Sequence, residues 1–156
     1  MKLAVSADEF THLVDSVLTE LNARGHEVTY LGPAEGEERD WPEVSAAAAE
    51  LVANGQMDQA IVMCRTGTGA TLAANKVPGA RAALCHDAET ARGARTWNDA
   101  NILGISLRST SEPVAKEILD AWFSTSPGND EWNQRQLQRI HELDERYRPP
   151  EQSRIP

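Results

Sequence analysis

The stretch IVMCRTGTG, residues 61–69, joins an apolar run to a cysteine, an arginine, two threonines and two glycines. An alanine-rich segment follows it and extends to Lys76. This order predicts a strand that ends near Cys64, a tight turn, and then the N-terminus of a helix. Unpaired backbone N–H groups at such a terminus can hold an anion. The stretch therefore predicts the active-site loop of a small α/β enzyme.

Short apolar runs alternate with segments of helical periodicity on both sides of this loop. Strands are predicted at 2–7, 27–31, 59–63, 81–85 and 101–105. Helices are predicted at 11–24, 43–53, 69–76, 88–97, 111–123 and 131–147. This alternation indicates βαβ units, an α/β fold and a parallel sheet covered on both faces. Residues 1–147 are predicted to form a single domain, and residues 148–156 a flexible tail.

Polar side chains follow four of the predicted strands. They are Asp8, Cys64, His86 and the segment near Arg108. Ligands of open parallel sheets bind beyond the carboxyl ends of the strands. We therefore expect these residues to converge, although they are far apart in sequence.

Composition excludes several classes of partner. The formal net charge of −9 argues against nucleic acid or an anionic membrane surface. No apolar stretch approaches the length of a membrane span. The two cysteines and the lack of a signal-peptide pattern predict a reduced cytoplasmic setting. No Cys/His cluster has zinc-site spacing, so no metal is predicted.

The residues alone leave the chemistry of the loop open. A phosphate cradle of the P-loop type would need the spacing GxxxxGK[ST], which the chain lacks. A nucleophile for acyl transfer would need a placed histidine and an orienting acid. Cys64 could instead move a proton while Thr66 and backbone N–H groups stabilise an enediolate oxygen. The remaining interpretation is a buried cysteine that merely ends a strand.

Residues 64–87, CRTGTGATLAANKVPGARAALCHD, resemble the signature of ribose-5-phosphate isomerase B and its galactose-6-phosphate isomerase relatives. The pattern of that family is approximately CGTGxGxxxAANKxxGIRAALCHD. Residues 98–101, NDAN, resemble its HNDAN segment, and residues 40–42, DWP, resemble its DYPD or DYPH turn. The resemblance extends over roughly residues 2–147.

The resemblance implies a Rossmann-like three-layer α/β/α sandwich with a five-stranded parallel sheet and a C-terminal helix. It also implies a homodimer or a dimer of dimers with active sites between subunits. The implied activity is that of a cofactor-independent aldose–ketose isomerase acting through a cis-enediolate. Cys64 would transfer the proton, and Thr66, Gly67 and Gly69 would line the hole for the enediolate oxygen. Thr66 would be the second catalytic residue.

The resemblance also assigns substrate-binding roles. Asp8 and Asn98 would bind sugar hydroxyl groups, and Arg108 stands where the family has a site arginine. Arg65 replaces the glycine that follows the cysteine in the family. Either arginine could hold an anionic group.

Four further positions depart from the family and bear on the substrate. Glu9 stands where the family has a histidine, and it would oppose a phosphate. Trp97 replaces the histidine assigned to ring opening and cannot do acid–base chemistry at neutral pH. The Arg-His pair of a phosphate clamp becomes Trp132-Asn133, which removes charge-assisted bonds to a dianion. Both tryptophans could stack on a sugar or pack in a subunit interface.

We therefore expect a substrate other than ribose 5-phosphate. The candidates are a sugar that needs no ring opening, an unphosphorylated sugar, or one with a different anionic group. Alternatives are an epimerase that uses the same enediolate, and a sugar-binding member or supporting subunit of a heteromeric isomerase.

Several residues are expected to be structural. His12 is predicted to face the core, and the alternative is that it partly replaces the missing family histidine. Cys85 is predicted to be buried, and His86 to be a hydrogen-bonded residue at a strand end. The acidic run 35–40 is predicted to be a solvated loop, and the loop 32–40 that contains it could also form the rim of a site. The last helix has a thin apolar stripe, and we expect it to pack on a second subunit.

Overall fold

A five-stranded sheet organises the fold, and the computed structural model describes it within residues 1–148. The strands are β1 (Lys2–Ala7), β2 (Glu27–Tyr30), β3 (Gln59–Cys64), β4 (Ala82–Leu84) and β5 (Ile102–Ser106). All neighbouring strands are parallel, in the order β2-β1-β3-β5-β4. The predicted tail lies outside the described residues, apart from Arg148.

Six helices complete the described part of the chain. They are α1 (His12–Ala23), α2 (Trp41–Ala53), α3 (Thr68–Ala74), α4 (Ala88–Asn98), α5 (Glu112–Ser124) and α6 (Glu131–Tyr147). Helices α1, α4 and α5 pack on one face of the sheet, and α2 and α3 pack on the other. The predicted Rossmann-like α/β fold is confirmed.

Capping residues and a proline mark the N-termini of three of these helices in the sequence. Thr11 and Asp87 accept hydrogen bonds from the N–H groups of Val14 and Thr90, and so cap α1 and α4. Pro42 lies in the first turn of α2, where its missing N–H costs nothing. The helix begins at Trp41, two residues earlier than predicted.

Edge strand β4 is one residue shorter than predicted at each end, and side chains bond to its open edge. The Asn75 side chain both donates to the carbonyl oxygen and accepts from the N–H of Ala82, each at 2.8 Å. The N–H of Arg81 donates to the Asn101 side chain. The asparagine of the AANK segment therefore closes the sheet edge.

Strand alternation decides which side chains face α2 and α3. Ala4 of β1 and Val62 and Cys64 of β3 belong to the core cluster on that face. Leu3, Val5, Ile61 and Met63 belong to the cluster on the opposite face. Cys64 therefore points toward the helix that follows it, and not toward α1.

Helix α6 packs loosely on the rest of the chain. Asn133 is buried and donates to the carbonyl oxygen of Thr96, and Asp144 accepts from the N–H of Gly79. Leu143 and Tyr147 remain exposed. Within residues 1–148, none of the helices combines the length and apolar character that crossing a membrane requires.

The prediction that His12 faces the core is wrong. Its side chain is exposed, and Nδ1 lies 2.9 Å from Oε1 of Glu112. Leu13 and Val14 beside it are buried, whereas His12 lies on the opposite side of α1 and faces away from the sheet. The prediction for Cys85 is confirmed, since this residue is 1% exposed.

Candidate active site

Strands β1 and β3 end side by side at the point where the strand order reverses. Ala7 pairs with Met63, so Asp8 and Cys64 come next at the same edge of the sheet. Chain connections leave β1 and β3 in opposite directions here, toward α1 on one face and α3 on the other. Such a switch point opens a crevice for a ligand.

The loop after β3 holds the Cys64 side chain against helix α3. The sulfur accepts a hydrogen bond from the backbone N–H of Ala70 at 3.4 Å. The carbonyl oxygen of Cys64 accepts from the N–H groups of Gly67 and Leu107. A sulfur at this position meets the end of a helix that favours negative charge.

Position 67 requires glycine because of its backbone conformation and because there is no room for a side chain. Its φ of +75° lies in the left-handed region, and a Cβ there would lie 2.5 Å from Cδ1 of Leu84 and 2.9 Å from the backbone carbon of Ile105. The hydroxyl groups of Thr66 and Thr68 lie 2.7 Å apart on the exposed side of this turn. The turn therefore presents hydroxyl and backbone groups beside the thiol.

A cleft of about 340 Å³ opens at the same edge of the sheet. Its walls carry four carboxylates, two guanidinium groups and one indole, from Asp8, Glu9, Glu38, Arg39, Asp40, Trp41 and Arg65. Trp41 packs over the loop after Cys64, because a Cβ at Gly69 would come within 3.1 Å of its ring. The indole therefore forms a wall between the loop and solvent.

The acidic run 35–40 is exposed throughout, as predicted for a solvated loop, and its second half also lines the cleft. The N–H of Arg39 donates to the carbonyl oxygen of Asp8 at 2.9 Å. Glu9 and Glu38 form an isolated antiparallel bridge. The run therefore folds back onto the residues that follow β1. The DWP turn beside it was the sequence signal that could have indicated this.

The surroundings of Asp8 in the cleft shift the pKa of its carboxyl group. Burial raises the pKa of Asp8, and the charge of Glu38 adds to this effect. Backbone N–H groups of Asp8, Glu9 and Arg65 act in the opposite direction, but burial dominates. Its Oδ1 is buried with no hydrogen-bond partner among the described residues. This oxygen is suited to accept a hydrogen bond from a ligand.

Arg65 and Arg108 are held next to each other through the backbone. The carbonyl oxygen of Arg65 accepts from the N–H of Arg108 at 2.9 Å and from the Ser106 hydroxyl at 3.1 Å. Both arginine side chains are exposed. Among the described residues neither forms an ion pair within 4.0 Å, so both guanidinium groups are available to a ligand.

Trp97, Asn98 and Trp132 do not join this cleft within one protomer. Helix α4 begins at the carboxyl edge of the sheet and ends at Asn98, about 16 Å further along its axis. Trp97 lies over Gly93 of the same helix and is 56% exposed, and Trp132 is 55% exposed. The Asn133–Thr96 hydrogen bond keeps the start of α6 at this far end of α4.

His86 and Cys85 lie outside the cleft. His86 is exposed, and its Nε2 lies 3.2 Å from Oδ2 of Asp87. Burial raises the pKa of the Cys85 thiol to about 12, and the charge of Asp87 adds to this. Within residues 1–148, no three His, Cys, Asp or Glu side chains are grouped so that they could hold a metal ion.

Comparison with known proteins places this geometry in a family. The family described as Ribose/Galactose Isomerase matches residues 3–143. Ribose-5-P isomerase B of Listeria innocua is 32% identical over 95% of this chain and 100% of its own length. D-erythrulose-4-phosphate isomerase of Pectobacterium atrosepticum is 35% identical over 79% of this chain and 82% of its own length.

A solved structure agrees with this result. Ribose-5-phosphate isomerase B of Clostridium thermocellum superposes with a TM-score of 0.89 at 35% identity, over 94% of this chain and 99% of that one. Both the sequence match and the superposition extend over nearly the whole described chain. The chain therefore belongs to the ribose/galactose isomerase family, whose members are aldose–ketose isomerases.

Proposed function

We propose that this protein is a cofactor-independent aldose–ketose isomerase in which Cys64 is the proton-transfer base. One observation carries the proposal: the Cys64 sulfur accepts the Ala70 N–H at the N-terminus of α3, beside the cleft that Asp8 lines. A base at that position can take a proton from the carbon next to a carbonyl group while the turn stabilises the oxygen.

The proposed reaction moves one proton between two carbons. The Cys64 thiolate removes the proton from C2 of the open-chain aldose, and the electron pair of that C–H bond forms the C1–C2 double bond. The carbonyl oxygen on C1 becomes negatively charged, and Thr66 with the N–H of Gly69 stabilises it. Gly67 shapes the turn, since its own N–H donates to the Cys64 carbonyl oxygen. The thiol then returns its proton to C1, and the O2 proton passes to O1 as the C2 carbonyl forms.

The proposed substrate is a sugar or sugar phosphate other than ribose 5-phosphate. The relatives named above act on different sugar phosphates, so the family varies its substrate. Asp8 and Glu9 lie in the cleft together, and Arg65 replaces a glycine there. Asp8 would accept hydrogen bonds from sugar hydroxyl groups, and Arg65 or Arg108 would bind any anionic group.

We further propose that the active unit is a homodimer or a dimer of dimers in the cytoplasm. Trp97, Asn98 and Trp132 are exposed at the far end of α4, where a second protomer could carry them to a neighbouring cleft. The exposed apolar side chains of α6 would be covered in the same assembly. Two unpaired thiols agree with a reducing compartment.

A substrate panel tests the proposal. Purified protein is assayed with aldoses and ketoses of four to six carbons and with their terminal phosphates, alongside Cys64→Ala and the buried control Cys85→Ala. We expect the wild type to interconvert at least one aldose–ketose pair. Cys64→Ala should lower kcat at least about a hundredfold, whereas Cys85→Ala should keep the wild-type kcat. Full activity of Cys64→Ala would exclude Cys64 as the base.

A further inference from the structure

The carbonyl oxygen of Gly67 accepts two hydrogen bonds from a single residue of α3. The backbone N–H of Thr71 donates to it at 3.1 Å, and the Thr71 hydroxyl donates to it at 2.7 Å. The first is the ordinary helical bond to the residue four positions earlier. The second depends on the side chain, and the proposed proton transfer does not use that side chain. The hydroxyl therefore adds a side-chain constraint to the turn that follows Cys64.

Strand β5 packs against this hydroxyl group. A Cβ at Gly104 would lie 2.1 Å from Oγ1 of Thr71, so the hydroxyl occupies the space that a side chain at that position would fill. Thr71 is half-buried. A β-branched side chain in a helix also has few rotamers to choose from. The Thr71 hydroxyl is therefore fixed between the strand and the turn, and its direction does not depend on solvent.

The bond to Gly67 fixes the direction of the peptide unit that joins Gly67 to Thr68. A trans peptide unit is planar, and its N–H points away from its carbonyl oxygen. The Thr68 N–H therefore points away from the Thr71 hydroxyl. The N–H groups of Thr68 and Gly69 have no acceptor among residues 1–148. The Thr68 hydroxyl lies 2.7 Å from that of Thr66, so the same peptide unit also affects the second catalytic residue of the proposed mechanism.

Rotation of this peptide unit would harm the proposed reaction. Glycine accepts a wide range of backbone angles, so Gly67 offers little steric resistance to such a rotation. A rotated unit would turn the Gly67 carbonyl oxygen toward the side where the mechanism needs hydrogen-bond donors. A carbonyl oxygen only accepts hydrogen bonds, and its partial negative charge would repel an enediolate. A donor that keeps this oxygen beside α3 therefore favours the reactive form of the turn.

We propose that Thr71 is a positioning residue for the isomerase reaction. Its hydroxyl holds the Gly67 carbonyl oxygen beside α3 and so keeps the turn in the form that stabilises the enediolate. This inference rests on the proposed isomerase function and adds to it a residue that acts through Gly67. Because the enediolate forms only during the chemical step, loss of the hydroxyl should lower kcat and leave KM nearly unchanged.

Three variants isolate the hydroxyl group. Thr71→Val keeps the shape of the side chain and removes the donor, whereas Thr71→Ser keeps the donor. Thr125→Val is the matched control, because the half-buried Thr125 also donates its hydroxyl to a carbonyl oxygen four positions earlier, that of Ala121. Thr125 follows the last residue of α5, about 20 Å along the helix axis from its start near the carboxyl edge of the sheet.

Steady-state kinetics with a substrate from the panel give the first readout. We expect Thr71→Val to lower kcat by about threefold to tenfold, with KM within about twofold of wild type. Thr71→Ser should recover most of this loss, and Thr125→Val should keep the wild-type kcat. Both valine variants should lose a similar amount in Tm. An equal fall in kcat in the two valine variants, or a rise in KM at constant kcat, would overturn the inference.

NMR relaxation separates this inference from the isomerase proposal. The ¹⁵N relaxation of the Thr68 and Gly69 amides, measured for fast and for microsecond-to-millisecond motion, reports the turn itself and needs no turnover. We expect added motion at these two amides in Thr71→Val, and wild-type behaviour in Thr71→Ser and Thr125→Val. That result supports the positioning role of Thr71 even if no sugar of the panel is converted. Unchanged relaxation in Thr71→Val, or the same change in Thr125→Val, would overturn it.

Discussion

The Cys64 sulfur and the Ala70 backbone N–H meet across 3.4 Å, although six positions separate the two residues along the chain. The intervening turn folds back on itself at Gly67 and returns the first turn of α3 to the strand end. The position of the thiol therefore depends on the shape of this turn as well as on β3. Changes in the turn should affect stability and activity together.

Replacement of Gly67 by alanine should destabilise the protein more than a change at another glycine of the same conformation. Gly67 and Gly55 both have a φ of +75°, but a Cβ at Gly55 meets nothing within 4 Å. We expect Gly55→Ala to cost about 1–2 kcal/mol for the left-handed backbone. Gly67→Ala should cost about 1–3 kcal/mol more, because its Cβ overlaps Leu84 and Ile105. Urea unfolding measures both, and equal costs would contradict the assigned close approach.

The two cysteines should differ in their reaction with iodoacetamide. Cys85 stays protonated at pH 8 because its pKa is about 12, and a protonated thiol is a poor nucleophile. We expect carboxamidomethylation at Cys64 first, measured by peptide mass spectrometry, with loss of isomerase activity in proportion. Modification of Cys85 ahead of Cys64 in the folded protein would contradict the burial and pKa assigned to Cys85.

Replacement of Asp8 by asparagine should stabilise the fold while lowering activity. Burial raises the pKa of Asp8 above its ordinary value of 3.8, so the folded chain binds this proton more tightly than the unfolded chain does. The free energy of unfolding therefore falls as pH rises through the folded pKa. Asp8→Asn removes this penalty, so its Tm should exceed that of wild type at pH 7, and the gap should close toward pH 3.8.

The control for this experiment is Asp15→Asn, which neutralises an exposed carboxylate on α1. Asp15→Asn should not have a higher Tm than the wild type at pH 7. The pH-dependent difference in Tm expected for Asp8→Asn should therefore be absent. A lower Tm for Asp8→Asn than for wild type at pH 7 would show that the Asp8 carboxylate stabilises the fold.

Truncation of Trp41 should weaken substrate binding more than it weakens the chemical step. Its indole covers Gly69 and forms one wall of the cleft, whereas the thiol is held by Ala70. We expect Trp41→Ala to raise KM by about tenfold with a smaller change in kcat, and Trp41→Phe to recover most of the loss. A fall in kcat at constant KM would place the indole in the catalytic step instead.

Much of the fold could be predicted from periodicity alone. The stretch 61–69 predicted a strand, a turn and a helix, and the structure has β3, a left-handed Gly67 and α3 in that order. Burial of Cys85 followed from its place at the end of an apolar run. These features are local, and the side-chain pattern of a few residues determines them.

Other parts of the site depend on contacts between distant segments. The bridge between Glu9 and Glu38 forms across 29 positions, and no periodicity signals it. His12 lies on the side of α1 opposite the buried stripe of Leu13, Val14, Val17 and Leu21, so the helical pattern itself leaves it exposed. The resemblance assigns Trp97 to the site. Within one protomer, however, Trp97 lies near the end of α4, away from the carboxyl edge of the sheet where the cleft opens.

Solvent exchange during turnover tests the central claim most directly. Wild type and Cys64→Ala are incubated in D₂O with an aldose that the panel identifies as a substrate, and the ketose is analysed by NMR. Proton transfer through the Cys64 thiol predicts deuterium at C1 of the ketose formed by wild type, with both conversion and exchange lost in Cys64→Ala. Undiminished conversion and deuterium incorporation by Cys64→Ala would contradict the account, because another group would then carry the proton.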